Sequence, residues 1–221
     1  MGKVLLIQPW KYRDEGVSHH DLSHEWRNGP YSLIILGTQL KAKGHDVQIM
    51  DMERDLVAEK GNVGTSLNNL VRVIERFMPD VIGLGFFSVH FCEATRIAET
   101  VRRTCCRAGL RSLFVAGGIH ATTEPQGTLR DVECDCVFTG EAEAGIVRLA
   151  SGEEPRRVSG VQFPGTQAYR RGEEIKPLDT LSIDYIVNVE GKSIARNISV
   201  EKSEDTETIK EEATEGGEVP V

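Results

Sequence analysis

From the N-terminus to about residue 150, short unbroken apolar runs alternate with stretches whose apolar residues recur at helical spacing. Residues 3–8, Lys-Val-Leu-Leu-Ile-Gln, form the first run, which Pro9 ends. Runs without polar alternation mark strands buried on both faces, as in a parallel sheet. Similar runs lie at residues 45–51, 81–86, 113–116 and 134–138. Between the first two, residues 31–43 set Leu33, Ile34, Leu36, Gly37 and Leu40 along one helix face. Gly44 follows as a C-terminal glycine cap. Residues 66–77 carry Leu67, Leu70, Val71, Ile74 and Phe77 at helical spacing until Met78-Pro79-Asp80 breaks the pattern. Further helices are predicted over residues 93–107, near 125–130 and over 144–150.

Five strands alternating with helices predict an α/β fold, with a flavodoxin-like (Rossmann-like) parallel sheet in the order 2-1-3-4-5. Its topological switch point falls between the first and third strands. The rhythm ends near residue 152. Val161-Gln162-Phe163, the turn Pro164-Gly165-Thr166 and Ala168-Tyr169-Arg170 then predict a small C-terminal β-hairpin outside the main sheet. The expected organisation is a Rossmann-like domain over residues 1–152, a hairpin and extended connector over 153–187, and a polar acidic tail over 188–221 that is expected to be disordered.

In an open parallel sheet, ligands gather at the carboxyl ends of the strands. Three segments stand there with residues suited to a ligand bearing amides, a phosphate and a ring system. One is the polar stretch 10–28 with His19, His20 and His24, whose length sets it apart from an ordinary connection. Another is Ser88-Val89-His90 after the third strand, and the third is Gly117-Gly118-Ile119-His120 after the fourth. Glycine admits a ligand close to the backbone, since no Cβ intervenes. The bland alternative is that turns need glycine and that loops often hold histidine; the co-location of three such loops favours the functional reading. The spacing is neither G-x-G-x-x-G nor the phosphate loop G-x-x-x-x-G-K-[ST], so dinucleotides and nucleoside triphosphates are poor candidates. Glu141 and Glu143 open a helix, where a carboxylate serves as a cap as readily as a ligand contact. His45, behind a glycine cap, is expected at the surface.

Charge sharpens the class. The net charge is −8, and the segment from Glu201 to Val221 carries most of it, so the remainder is nearly neutral. That balance argues against nucleic acid and anionic membranes as partners. No run approaches the roughly 18 apolar residues that a membrane span needs. The N-terminal apolar run lacks a cleavage site, and five cysteines are an odd number, so reduced thiols in the cytoplasm are the expectation. No zinc spacing such as C-x-x-C occurs, and all five cysteines, Cys134 and Cys136 among them, are expected to be structural thiols. The iron–sulfur spacing C-x-x-x-C-x-x-C does not occur.

Several motifs together point to a family. Pro30-Tyr31-Ser32-Leu33, Gly44-His45-Asp46-Val47 with Asp51, Pro79-Asp80-Val81-Ile82-Gly83, Gly117-Gly118-Ile119-His120-Ala121-Thr122 and Gly140-Glu141-Ala142-Glu143 follow in that order. In this order and spacing the chain resembles the N-terminal cobalamin-binding domain of cobalamin-dependent radical S-adenosylmethionine enzymes. The segments 159–171 and 178–181 resemble the connector to the radical domain of that family. The resemblance implies a domain that holds cobalamin with its nucleotide tail against the sheet. By position it implies cofactor contacts from Ser88, Val89, His90, Gly117, Gly118, His120, Thr122, Gly140 and Glu141. The cobalt-ligating signature D-x-H-x-x-G is absent, and no histidine is assigned to the metal.

The chain departs from the family after the connector. Its last cysteine is Cys136, so no iron–sulfur cluster is expected on it, and it is not expected to run the radical reaction alone. The implied role is a cobalamin-binding module, either stand-alone or truncated, which could supply methylcobalamin to a separate radical S-adenosylmethionine or methyltransferase protein. Two readings from other classes compete. One is a flavodoxin-like interaction or signalling domain without a cofactor, for which a filled crevice would speak. The other is a small metal-independent enzyme using His90 or His120 as base.

Overall fold

The computed structural model describes residues 1–10 and 30–165, together with the backbone of two strands, residues 180–187 and 193–201. The chain divides into two compact units, Met1–Ile175 and Lys176–Val221. Chain order in the first unit is β1 (Lys3–Gln8), α1 (Tyr31–Ala42), β2 (Asp46–Asp51), α2 (Met52–Ala58), α3 (Val63–Phe77) and β3 (Val81–Gly85). A 3-10 turn (Ser88–His90) then leads to α4 (Phe91–Ala108), β4 (Leu113–Gly117), α5 (Ile119–Thr123), α6 (Pro125–Asp131), β5 (Cys136–Phe138), α7 (Glu143–Ala150) and β6 (Val161–Gln162).

The sheet order is β2-β1-β3-β4-β5-β6. The first five strands are parallel, in the order the hydropathy predicts; β1, β3, β4 and β5 are buried on both faces, while β2 at the sheet edge is only partly buried. Val4 to Ile7 are almost wholly buried and alternate between two cores. Leu5 and Ile7 join Ile82, Leu84, Phe114 and Ala116 under α2, α3 and α4. Val4 and Leu6 join Val81, Val115, Cys136 and Phe138 under α1 and α7. Cys134 and Cys136 fall in opposite cores although residues two apart on one strand would share a face, because Cys134 precedes β5, where the chain turns at Glu133.

Two aspartates register the strand starts. The Lys3 amide donates to Asp80 Oδ2 at 2.8 Å, which ties β1 to the entry of β3. The Phe114 amide donates to Asp135 Oδ2 at 2.7 Å, and Arg102 of α4 donates to the other carboxylate oxygen at 2.8 Å.

Several expectations change. β6 does not stand outside the sheet as one arm of a separate hairpin; it pairs antiparallel with β5 and becomes the sheet's edge. The pairing is secured beside it, where Thr139 N–H donates to the Gly160 carbonyl at 2.9 Å and Gln162 Nε2 donates to Thr139 Oγ1 at 3.3 Å. The expected second arm, residues 168–170, lies outside the described residues. β5 begins at Cys136 rather than Cys134, since Glu133, at φ 53°, turns the chain just ahead of it. α2 escapes the periodicity, being short, but Asp51 caps it by accepting from the Arg54 amide at 3.1 Å. His45 is buried rather than at the surface. Its Nδ1 accepts from the Gly2 amide at 3.2 Å and its Nε2 lies 3.3 Å from Ser151 Oγ, joining the start of β1 to the end of α7.

In the second unit, β7 (Thr180–Val187) pairs antiparallel with β8 (Ser193–Glu201), so part of the segment read as a polar tail is extended and paired. The rest of that tail, residues 188–192 and 202–221, and the polar stretch 11–29 with His19, His20 and His24 lie outside the described residues. No described helix is long and apolar enough to cross a membrane.

Candidate functional site

The carboxyl ends of β1, β3, β4 and β5 open into a cavity of about 320 Å³ between the sheet, α1 and α7. Its floor is backbone. In β3 the alternation places Gly83 and Gly85 on the same face, and the register sets Gly83 beside Val115 and Gly85 beside Gly117 of β4. Glycine at alternate positions weakens a strand, and here it leaves that face bare where a ligand could lie. A Cβ on Gly83 would stand 3.0 Å from Leu6 Cδ2, and one on Gly85 3.4 Å from Leu33 Cδ2. Leu33 and Leu36 of α1 wall one side, and Phe138 and Ile146 the other. Polar groups reach the cavity from Gln8, Ser32, His90, Glu141 and Glu143.

Of the residues that the sequence nominates, His90, Gly117, Gly118, Gly140 and Glu141 line this cavity. Ser88, Val89, His120 and Thr122 do not; they stand on the loops around it. Three of those four hold loops together. His120 Nδ1 lies 2.9 Å from Ser88 Oγ, joining the loops after β3 and β4. Its ring packs with Phe91 and Phe86 at centroid distances of 5.0 and 5.3 Å. Thr122 Oγ1 accepts from the Gly140 amide at 3.0 Å while it donates to the Gly118 carbonyl at 3.0 Å, joining the loops after β4 and β5. Val89 is largely exposed, as are Phe87 and Ile119 on the loops after β3 and β4.

Gly118 is required by its backbone. It sits at φ 93°, and a Cβ there would lie 2.6 Å from the Phe86 carbonyl oxygen. The turn that follows is not the open loop expected but the short helix α5.

Sequence reasoning missed the floor and the walls. Gly83 and Gly85 carry a signal, glycine at i and i+2 in a strand, which the apolar run around them masked. Glu143 was visible as a helix opener; what the fold adds is its burial. That burial, with the carboxylate of Glu141 adding to it, holds the Glu143 carboxyl above the usual range, partly offset by its own backbone amide. The cavity is open, not the filled crevice that a cofactor-free signalling domain would show.

The comparisons with known proteins agree with this geometry. The family model for the B12 binding domain matches residues 28–150. An uncharacterized methyltransferase of Pyrococcus horikoshii is 25% identical over 140 residues, 61% of this chain and 28% of that protein. Cytidylyl-2-hydroxyethylphosphonate methyltransferase of Streptomyces wedmorensis is 27% identical over 150 residues, 64% of this chain and 26% of that protein. The chain therefore spans little more than a quarter of the length of these relatives. Among solved structures, the radical S-adenosylmethionine methyltransferase TsrM of Kitasatospora setae superposes with a TM-score of 0.57 at 20% identity, covering 80% of this chain and 31% of that one. The cobalamin-dependent S-adenosylmethionine radical enzyme OxsB gives 0.58 at 16% identity, covering 79% and 23%. The family model takes in more than half of the residues, and the chain belongs to the B12 binding domain family as a cobalamin-binding module.

Proposed function

We propose that this chain is the cobalamin-holding part of a methyl-transfer system whose radical S-adenosylmethionine chemistry resides on another domain or polypeptide. The observation that carries the reading is the cavity with a side-chain-free floor of Gly83, Gly85 and Gly117 at the strand ends of a B12 binding domain. A slot of this size, apolar in its walls and bare in its floor, fits a flat aromatic nucleotide tail rather than a hydrated anion. When bound, the corrinoid supplies a cobalt that accepts and releases a methyl group. The protein's own share is to bind and orient it. Leu33, Leu36, Phe138 and Ile146 take the tail out of water, and the backbone of Gly117, Gly118 and Gly140 lets the cofactor lie close. Ser88, His120 and Thr122 keep the three loops in one arrangement.

That the curated relatives are methyltransferases supports the methyl-transfer part. Five unpaired thiols suit a reducing cytoplasmic setting.

The test is reconstitution with hydroxocobalamin followed by gel filtration. Corrinoid absorbance is expected to travel with the protein, and a colourless protein peak would overturn the reading. A second arm adds the protein encoded beside this one and looks for co-elution of the loaded chain.

A further inference from the structure

Glu143 is out of place among its neighbours. It opens α7 at the edge of a cavity whose walls are otherwise mainly leucine, phenylalanine and isoleucine. One of its carboxylate oxygens is fully buried and has no hydrogen-bond partner among the described residues. A buried acceptor or donor left without a partner costs stability, and such a group persists where a ligand completes it. Helix capping does not account for it. A first-turn carboxylate serves the helix equally well while exposed to water, and capping leaves this oxygen unused.

We propose that Glu143 is the residue that recognises the nucleotide tail of the corrinoid, through a hydrogen bond between its carboxyl group and a polar atom of that tail. The inference rests on the cobalamin reading and deepens it. The apolar walls bind the tail's ring without regard to its polar edge, whereas a buried hydrogen-bonding group among them disfavours a ligand that leaves it unpaired. Glu143 therefore distinguishes a complete corrinoid from one that lacks the nucleotide.

The experiment titrates hydroxocobalamin and dicyanocobinamide, which has no nucleotide tail, into the wild type, Glu143→Gln and Glu143→Leu, with affinity read from corrinoid absorbance. Glu143→Leu is expected to weaken hydroxocobalamin roughly tenfold and to leave cobinamide unchanged, while Glu143→Gln, which still hydrogen-bonds, stays within about threefold of wild type. Cobinamide binding reports that each variant is folded. Equal losses for the two corrinoids, or no loss for either, would overturn the role of Glu143 while leaving cobalamin binding intact. Wild type that retains neither corrinoid would instead remove the cobalamin reading, and this inference with it.

Discussion

Gly118 carries a demand that no other residue type meets. Its positive φ and its contact with the Phe86 carbonyl both exclude a side chain. Gly118→Ala is expected to destabilise the fold by about 2 kcal/mol, measured as a lower denaturation midpoint at unchanged slope. Cys134 and Cys136 carry a demand of another kind. Burial pushes their thiols up to about 11 and about 12, from an ordinary value of 9.0. With folded values above unfolded ones, the folded chain holds protons that the unfolded chain releases. Their contribution is complete below about pH 9 and is lost as the pH climbs through 11 to 12. Denaturant titrations at rising alkaline pH should show falling stability, with a shallower fall in Cys136→Ala. An equal slope in that variant would exclude the thiol as the cause.

At the scale of elements, β3 trades its own stability for a site. Val81, Ile82 and Leu84 build the sheet, while Gly83 and Gly85 strip the face beneath α1. A β-branched side chain at the second position would suit a strand and fill the cavity. Gly85→Val is therefore expected to keep or raise the unfolding midpoint of the free protein while lowering corrinoid affinity at least tenfold. Unchanged affinity in a folded variant would place the ligand elsewhere. The Asp80 and Asp135 contacts show the complementary device, in which a side chain at a strand entry satisfies a neighbouring strand's amide and so sets register. Neither contact follows from hydropathy, because each joins residues far apart in the chain.

For the molecule as a whole, ligand and fold are linked. A corrinoid that binds only the folded chain adds stability by mass action, about 2.7 kcal/mol at a hundredfold excess over Kd. Hydroxocobalamin should accordingly raise the unfolding midpoint of the wild type in a concentration-dependent way, and do so far less for Gly85→Val. The five-strand core of this molecule was legible from its apolar runs, since burial on both faces of β1, β3, β4 and β5 leaves no polar alternation to confuse them, and the partly exposed β2 still keeps Val47, Ile49 and Met50. The short helices were not: α2 and α5 hold too few residues for a period, and α2 is set by the local bond from Arg54 to Asp51. β6 was legible as an extended run, but its pairing with β5 depends on contacts such as Gln162 to Thr139 between residues far apart in the chain.

The division for the site follows the same physics. The loops after β3, β4 and β5 could be named from the chain, because a turn that must approach a ligand announces itself in glycine and polar residues. Which of their side chains enter the cavity was decided by packing. His120 is drawn to Ser88 and the rings of Phe86 and Phe91, and Thr122 to Gly140, so both brace the rim. Gly83, Gly85 and Gly117 become one floor only when β3 and β4 pair in register, and Glu143 becomes a half-buried acid with one enclosed oxygen only when α7 covers that floor. Periodicity along a chain determines which residues are buried; which residues meet is set by contacts between strands and helices that sequence separates, and those exist only in the folded protein.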